Sequence, residues 1–210
     1  TLTNGSFDAV ARANLNAEQL IIYNALNTIA CICDEDSAKA SDLILTLASY
    51  YRQTLENDQY MLDLDTEISH IRTYLQIEQA RFEEKLRVNI QVEPGLACQV
   101  PSFILQPIVE NAIRYGNGAD GVRNVEIIAG RVKDERGEEQ VRIEVRDHGK
   151  GFAPGQAEAI LSGKASGSVG LKNVHERLRS TYGKRYGLVI RNLEEGAEVS
   201  FVVPYQAETA

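Results

Sequence analysis

Near Leu86 the hydrophobic period of this 210-residue chain changes, and that change limits what the chain can fold into. Before it, apolar residues recur at helical steps in three segments. Leu15, Leu20, Ile21, Ile22, Leu26 and Ile29 mark a first helix reaching to about Cys33, and Leu43, Leu47, Tyr51 and Leu55, with Ile44 and Ala48 beside them, mark a second. Leu64, Ile68, Ile71, Leu75, Phe82 and Leu86 form the stripe of a third. Asp34-Glu35-Asp36-Ser37 separates the first two and offers a cap, Asn57-Asp58-Gln59 ends the second, and Asp63 or Asp65 can cap the third. Residues 1 to about 14 read as a linker or frayed helix start around the Asn4-Gly5-Ser6 turn. Helices with such narrow apolar faces must pack on one another, on a partner chain or on a following domain. A helical hairpin that dimerises into a four-helix bundle is the natural arrangement.

After Leu86 the apolar residues alternate: Val88, Ile90 and Val92 enclose Asn89 and Gln91. The domain boundary is expected here, with residues 1–86 helical and 87–210 mixed. Strands are expected at 125–129 and 141–145, joined across the charged stretch 133–140 with Gly137 in the turn, and again near 188–191 and 199–203. Residues 152–168 are rich in Gly, Ala and Ser and read as a mobile loop before a helix over 171–182. Strands and helices mix without strict βαβ alternation, which predicts an α+β layered sandwich in place of a Rossmann sheet.

A formal charge of −8 argues against a nucleic-acid surface and against docking on an acidic membrane. No run of about 18 apolar residues is present to span a bilayer, and no signal peptide is apparent. The chain opens on Thr1 and its one methionine is Met61, so it reads as a piece of a longer protein. Cys31, Cys33 and Cys98 sit among apolar neighbours and are expected to be buried reduced thiols, with no zinc site.

The chemistry concentrates in three stretches. In the first, Gln106 to Gly116, the residues Ile104, Leu105, Ile108, Val109, Ala112 and Ile113 should face a core, while Glu110, Asn111 and Arg114 share one side of a turn. An amide oxygen for a hard metal ion, a carboxylate to orient or deprotonate a nucleophile and a cation to offset phosphate charge suit a magnesium-bound triphosphate. Alone, the stretch is equally an amphipathic helix with a solvated polar face. The second is Asp147-His148-Gly149-Lys150-Gly151 at a strand end. Its carboxylate can accept a hydrogen bond from an exocyclic amine such as adenine's, and Gly149 and Gly151 let backbone approach a ring, although a simple turn also explains the pattern. In the third, Gly167-Ser168-Val169-Gly170-Leu171-Lys172-Asn173, a glycine loop opens a helix whose free N–H groups and Lys172 can face phosphate. His70, His148 and His175 are read as solvated or hydrogen-bonded without catalytic duty.

An Asn-bearing helix, then Asp-x-Gly-x-Gly, then a glycine loop entering a helix, resembles the Bergerat-type (GHKL) ATP-binding domain shared by histidine kinases, gyrase, Hsp90 and MutL. More of the chain, from about Leu15 to Tyr205, resembles the cytoplasmic region of LytS/YehU-type sensor histidine kinases. The resemblance is carried by Tyr23-Asn24-Ala25-Leu26-Asn27-Thr28-Ile29, by residues 74–82 (YLQIEQARF), by residues 105–113 (LQPIVENAI) and by Gly170-Leu171-Lys172-Asn173-Val174. It implies a membrane-anchored dimer, held by a segment preceding this one, that binds ATP with magnesium, phosphorylates a histidine of its first helix and passes the phosphoryl group to a LytTR-type response regulator. It implies that Asn111 holds Mg2+, Glu110 is base or orienting carboxylate, Asp147 reads adenine, and Gly149, Gly151, Gly167 and Gly170 shape pocket and lid.

The phosphoacceptor departs from the family pattern. Asn-Pro-His-Phe-Leu-Phe-Asn is replaced here by Glu18-Gln19-Leu20-Ile21-Ile22-Tyr23-Asn24, which puts Leu20 at the histidine position. A leucine side chain carries no nucleophile. The readings left are a kinase whose acceptor is lost, altered by engineering or supplied by another chain, a nucleotide-binding pseudokinase that regulates a partner, and an ATPase or serine kinase of the same nucleotide fold, which the helical hairpin counts against.

Overall fold

The computed structural model of the protein describes residues 17–56, 59–164 and 169–206, the side chains of 17–20 and 56 excepted. The chain forms two compact units, Thr1–Asn57 with Thr73–Glu83 and Asp58–Arg72 with Glu84–Ala210.

The first unit holds helices α1 (Ala17–Ile32) and α2 (Ser37–Glu56) and the later part of α3 (Leu64–Phe82). Asp36 caps α2, its Oδ1 accepting the Lys39 N–H at 2.9 Å. Ile21, Ala25 and Ile29 of α1 are buried, as are Ala40, Leu43, Leu47 and Tyr50 of α2 and Tyr74, Leu75 and Ile77 of α3. The α2 stripe differs from expectation. Steps of four outrun the 3.6-residue turn, so Leu55 has drifted to 76% exposure, and Ile44, one residue past Leu43, is 51% exposed, while the buried series steps by three, four and three through Tyr50.

The second unit is built on a five-stranded sheet of order β2-β4-β5-β7-β6, from β2 (Leu86–Val92), β4 (Arg123–Lys133), β5 (Glu139–Asp147), β6 (Val189–Asn192) and β7 (Ala197–Pro204). Among the described residues of this sheet only the β2–β4 pair is parallel. Helix α4 (Gln106–Tyr115) and helix α6 (Val169–Tyr182) supply its apolar cover, and the short α5 (Gln156–Leu161) packs on α6. Val125, Ile127 and Ala129, Val141, Ile143 and Val145, and Val199, Phe201 and Val203 are buried with Ile108, Val109, Ala112 and Ile113 of α4 and Leu171, Val174 and Leu178 of α6. Alternate residues of β5 and β7 carry an ion-pair network, in which Glu198 receives Arg142 at 2.8 Å and Arg146 at 3.2 Å. A helical hairpin followed in the chain by an α+β sandwich is the expected class.

Several boundaries move. Helix α3 stops at Phe82, because Glu83 takes φ 53° and opens a 3-10 turn, and Leu86 therefore begins β2 and leaves the helical stripe. Asp63 closes a three-residue strand β1 (Met61–Asp63), paired antiparallel with β3 (Gln99–Pro101). Strands this short show no alternation in sequence. Helix α5 occupies part of 152–168, and residues 165–168 lie outside the described ones. Cys98 is buried, but Cys31 and Cys33, at and just past the end of α1, are exposed.

Candidate functional site

Helix α4 organises the second unit. Pro107 sits in its first turn, where a missing N–H costs nothing, and the helix ends at Gly116, whose N–H reaches the Ala112 carbonyl at 2.7 Å. Arg123 Nε caps the Ile113 carbonyl at 3.0 Å, a cation at the negative end of the helix. The end of α4 lies directly against the Asp147 loop. A Cβ on Gly116 would come within 2.8 Å of Asp147 Cβ, and one on Gly149 would collide with the Tyr115 carbonyl and lie 2.8 Å from Gly116 Cα. Glycine at both positions is thus a condition of contact between the two stretches. Gly151, at φ 69°, packs against the Asn192 side chain. At the opposite end of α4, a Cβ on Gly170 would stand 3.3 Å from Pro107 Cβ, so the first turn of α6 meets the first turn of α4.

The polar groups lie along the strip between these contacts. Glu110 is half-buried and accepts the Gln106 side-chain amide at 2.9 Å. Burial raises its carboxyl above the usual range, opposed by that hydrogen bond and by Arg114. Asn111 is half-buried beside it, and Arg114 is exposed with its guanidinium 5.7 Å from the Tyr115 ring centroid. Asp147 is buried, and its Oδ1 accepts the Gly149 N–H at 2.9 Å. Burial raises it also, against the backbone N–H groups of Gly149 and Ala197 and the nearby His148.

The third stretch is placed in part. Gly170 is exposed at the start of α6, the Leu171 side chain is core, and Lys172 lays its stem along Gly163 with Nζ 3.6 Å from Glu176. Gly167 lies outside the described residues. Leu20 falls within α1, its side chain outside the description. Of the histidines, His148 is exposed, and His175 accepts the Leu188 N–H at Nδ1, 3.1 Å away. His70 departs from expectation. It is buried, stacked on Phe103 at 5.2 Å, and its Nδ1 finds no hydrogen-bond partner among the described residues.

Sequence reasoning missed Glu67 of α3. It is 0% exposed and accepts the N–H groups of Phe103 and Leu105, each at 2.9 Å, one on each carboxylate oxygen. Burial pushes it up to about 7, opposed by these bonds and by Arg177. A signal was present: Leu64, Glu67, Ile68 and Ile71 are spaced i, i+3, i+4 and i+7, which puts a carboxylate on a core-facing stripe.

Two family models match the chain, "Histidine kinase" over residues 13–86 and "Histidine kinase-, DNA gyrase B-, and HSP90-like ATPase" over residues 101–207. Among curated proteins, the sensor histidine kinase YpdA of Escherichia coli (strain K12) is 37% identical over 187 residues, covering 88% of this chain and 32% of that protein. The sensor protein LytS of Bacillus cereus is 36% identical over 191 residues, covering 87% of this chain and 32% of that protein. The chain thus spans about a third of the length of these relatives. Among solved structures, histidine kinase ThkA in complex with response regulator protein TrrA aligns with a TM-score of 0.52 at 16% identity, covering 99% of this chain and 63% of that one. At that identity the likeness is one of fold.

Proposed function

This chain belongs to the histidine kinase-, DNA gyrase B- and HSP90-like ATPase family, and within it to the histidine kinases, and we propose that it is the cytoplasmic part of a two-component sensor kinase that binds Mg-ATP for phosphoryl transfer. The observation that carries this reading is the strip along α4, where Glu110 and Asn111 lie between the Asp147–Gly149 contact at one end and the Gly170 contact at the other. Functionally, we assign residues 1–86 to dimerisation and phosphotransfer-like duty and 87–210 to ATP binding.

The donor set fits the nucleotide. Asn111 offers a hard amide oxygen to magnesium, and Glu110, a half-buried carboxylate with a raised proton affinity, is suited to orient or deprotonate a nucleophile. Arg114, exposed on the same side, can offset phosphate charge. Asp147 reads the adenine amine, Gly149 and Gly151, where the loop packs on Tyr115 and Asn192, shape that end of the pocket, and Gly170, Leu171 and Lys172 border the phosphates from the start of α6, with Gly167 assigned to the lid. When bound, Mg-ATP supplies the transferable phosphoryl group.

A homodimer through the helical region and a LytTR-type response regulator are the partners this reading implies; ThkA, a protein of like fold, has been solved with response regulator TrrA. The parent protein would be membrane-anchored through a segment outside this sequence. No helix among the described residues is long and apolar enough to cross a membrane.

Leu20 at the acceptor position supports a second reading, in which the chain binds nucleotide and regulates a partner without phosphorylating itself. Incubation with γ-labelled ATP and magnesium, comparing the chain with Leu20→His and titrating nucleotide binding in both, separates the two. Acid-labile label on the variant alone supports the kinase reading. Binding by both chains and label on neither favours the regulator, and no binding by either overturns both readings.

A further inference from the structure

We propose that Glu67 is the positioning residue that fixes the first turn of α4, and with it Glu110 and Asn111, from helix α3. The proposal rests on the nucleotide reading of the α4 strip.

A helix start leaves backbone N–H groups without partners inside the helix. At α4 the residue in the capping position is Leu105, already in helical conformation at φ −77° and ψ −30°, and it makes no side-chain cap. The carbonyl of Leu105 serves the N–H groups of Ile108 and Val109 at 3.1 and 2.9 Å. Its own N–H, and that of Phe103, go to Glu67. Phe103 itself holds φ 55°, a left-handed conformation that side-chain-bearing residues rarely adopt. His70, one turn along α3, stacks on the Phe103 ring at an interplanar angle of 14°. Two side chains of α3 therefore grip the segment from which α4 starts. Gln106 follows directly, and its side chain holds Glu110. The path from Glu67 to the site is the Leu105 N–H, then Gln106, then Glu110.

Packing alone does not account for a carboxylate here. An aliphatic residue at 67 would complete the stripe of Leu64, Ile68 and Ile71 without desolvating an ionisable group. What a carboxylate adds is two acceptor oxygens facing two N–H donors.

The test uses the whole chain as wild type, Glu67→Gln and Val203→Ala, the last a control that loosens the sheet core on β7, a strand that packs on α4 less than β5 does. Mg-ATP affinity is measured by calorimetry and amide hydrogen exchange is followed over residues 103–109. Glutamine keeps the size but turns an NH2 group toward a donor, so Glu67→Gln should weaken Mg-ATP about tenfold and speed exchange at Phe103 and Leu105 by a similar factor. Val203→Ala, which also lowers the melting temperature, should change neither. Wild-type affinity in Glu67→Gln, or unaltered exchange at 103–109, would overturn the proposal. Should Glu67→Gln fail to fold, Glu67→Asp, with both acceptors withdrawn by one methylene, is held to the same two readouts. Failure of the wild type itself to bind Mg-ATP would remove the nucleotide reading and this proposal together, an outcome visible before any variant is compared.

Discussion

The Gln106 side-chain amide donates to Glu110 Oε1 at 2.9 Å, one helical turn away on α4. The bond steadies the carboxylate at a half-buried position where desolvation already raises its affinity for a proton. A group poised in this way acts on a proton or a nucleophile more than on ligand affinity. Glu110→Gln, made in the Leu20→His background, should lower phosphoryl transfer by about 10²- to 10⁴-fold and leave Mg-ATP affinity within roughly threefold. Radiolabel incorporation and calorimetry check the two arms, and a parallel fall in affinity would make Glu110 a binding residue.

Asn111 is assigned the metal. Asn111→Ala should abolish the part of nucleotide affinity that depends on magnesium, measured as the difference between titrations with the metal and with a chelator. Unchanged ATP binding would refute the assignment.

For Asp147 the expectation concerns selectivity. The carboxylate is held by the Gly149 N–H and buried, which suits it to one exocyclic amine. Wild type should prefer ATP to GTP, and Asp147→Ala should erase most of that preference. Because burial raises this group, the accepting, ionised form should be lost as pH falls, and ATP affinity with it. Equal affinities for the two nucleotides in the wild type would count against the role.

At Gly149 an added methyl group meets the Tyr115 carbonyl, a backbone atom that cannot swing aside. Gly149→Ala should therefore cost roughly 2 kcal/mol or more of stability, seen in urea unfolding, and weaken nucleotide binding by displacing the loop from α4. A neutral substitution would mean that the loop and the helix end separate easily.

Glu67 makes stability depend on pH in a direction opposite to that of most carboxylates. Its folded value of about 7 lies above the ordinary 4.5. Its contribution is therefore fully present below about 4.5 and is lost as pH rises through about 7, on the order of 3 kcal/mol in all. Arg177 of α6 and the N–H groups of residues 103–105 face it and moderate the loss. Unfolding of the wild type and of Glu67→Gln across this window should show the variant with the flatter profile; parallel profiles would exclude the group.

How much of this was legible depended on how far apart in the chain the cause lay. Helix α4 could be read because Ile108, Val109, Ala112 and Ile113 carry its period within ten residues, with Pro107 and Gly116 punctuating it. Strands β4 and β5 showed their alternation, and Asp147-x-Gly-x-Gly announced a tight turn. That Gly149 and Gly116 meet was not readable, since only the fold brings the ends of β5 and α4 together. Glu67 was hidden for the same reason, its partners lying 36 and 38 residues away. Strands β1 and β3 are three residues each, too short for a pattern. Cys31 and Cys33 have apolar neighbours in sequence, but the end of a helix turns them outward.

The first compact unit is drawn from Thr1–Asn57 and Thr73–Glu83, with Asp58–Arg72 given over to the second. A growing polypeptide therefore cannot finish its first unit when the second helix emerges from the ribosome. Completion waits until residue 83 is out, with the opening segment of the second unit already made but lacking the strands it packs with. The same threading means that a protease nicking the chain between residues 58 and 72 would not release two separate bodies, because each fragment would keep part of the first unit.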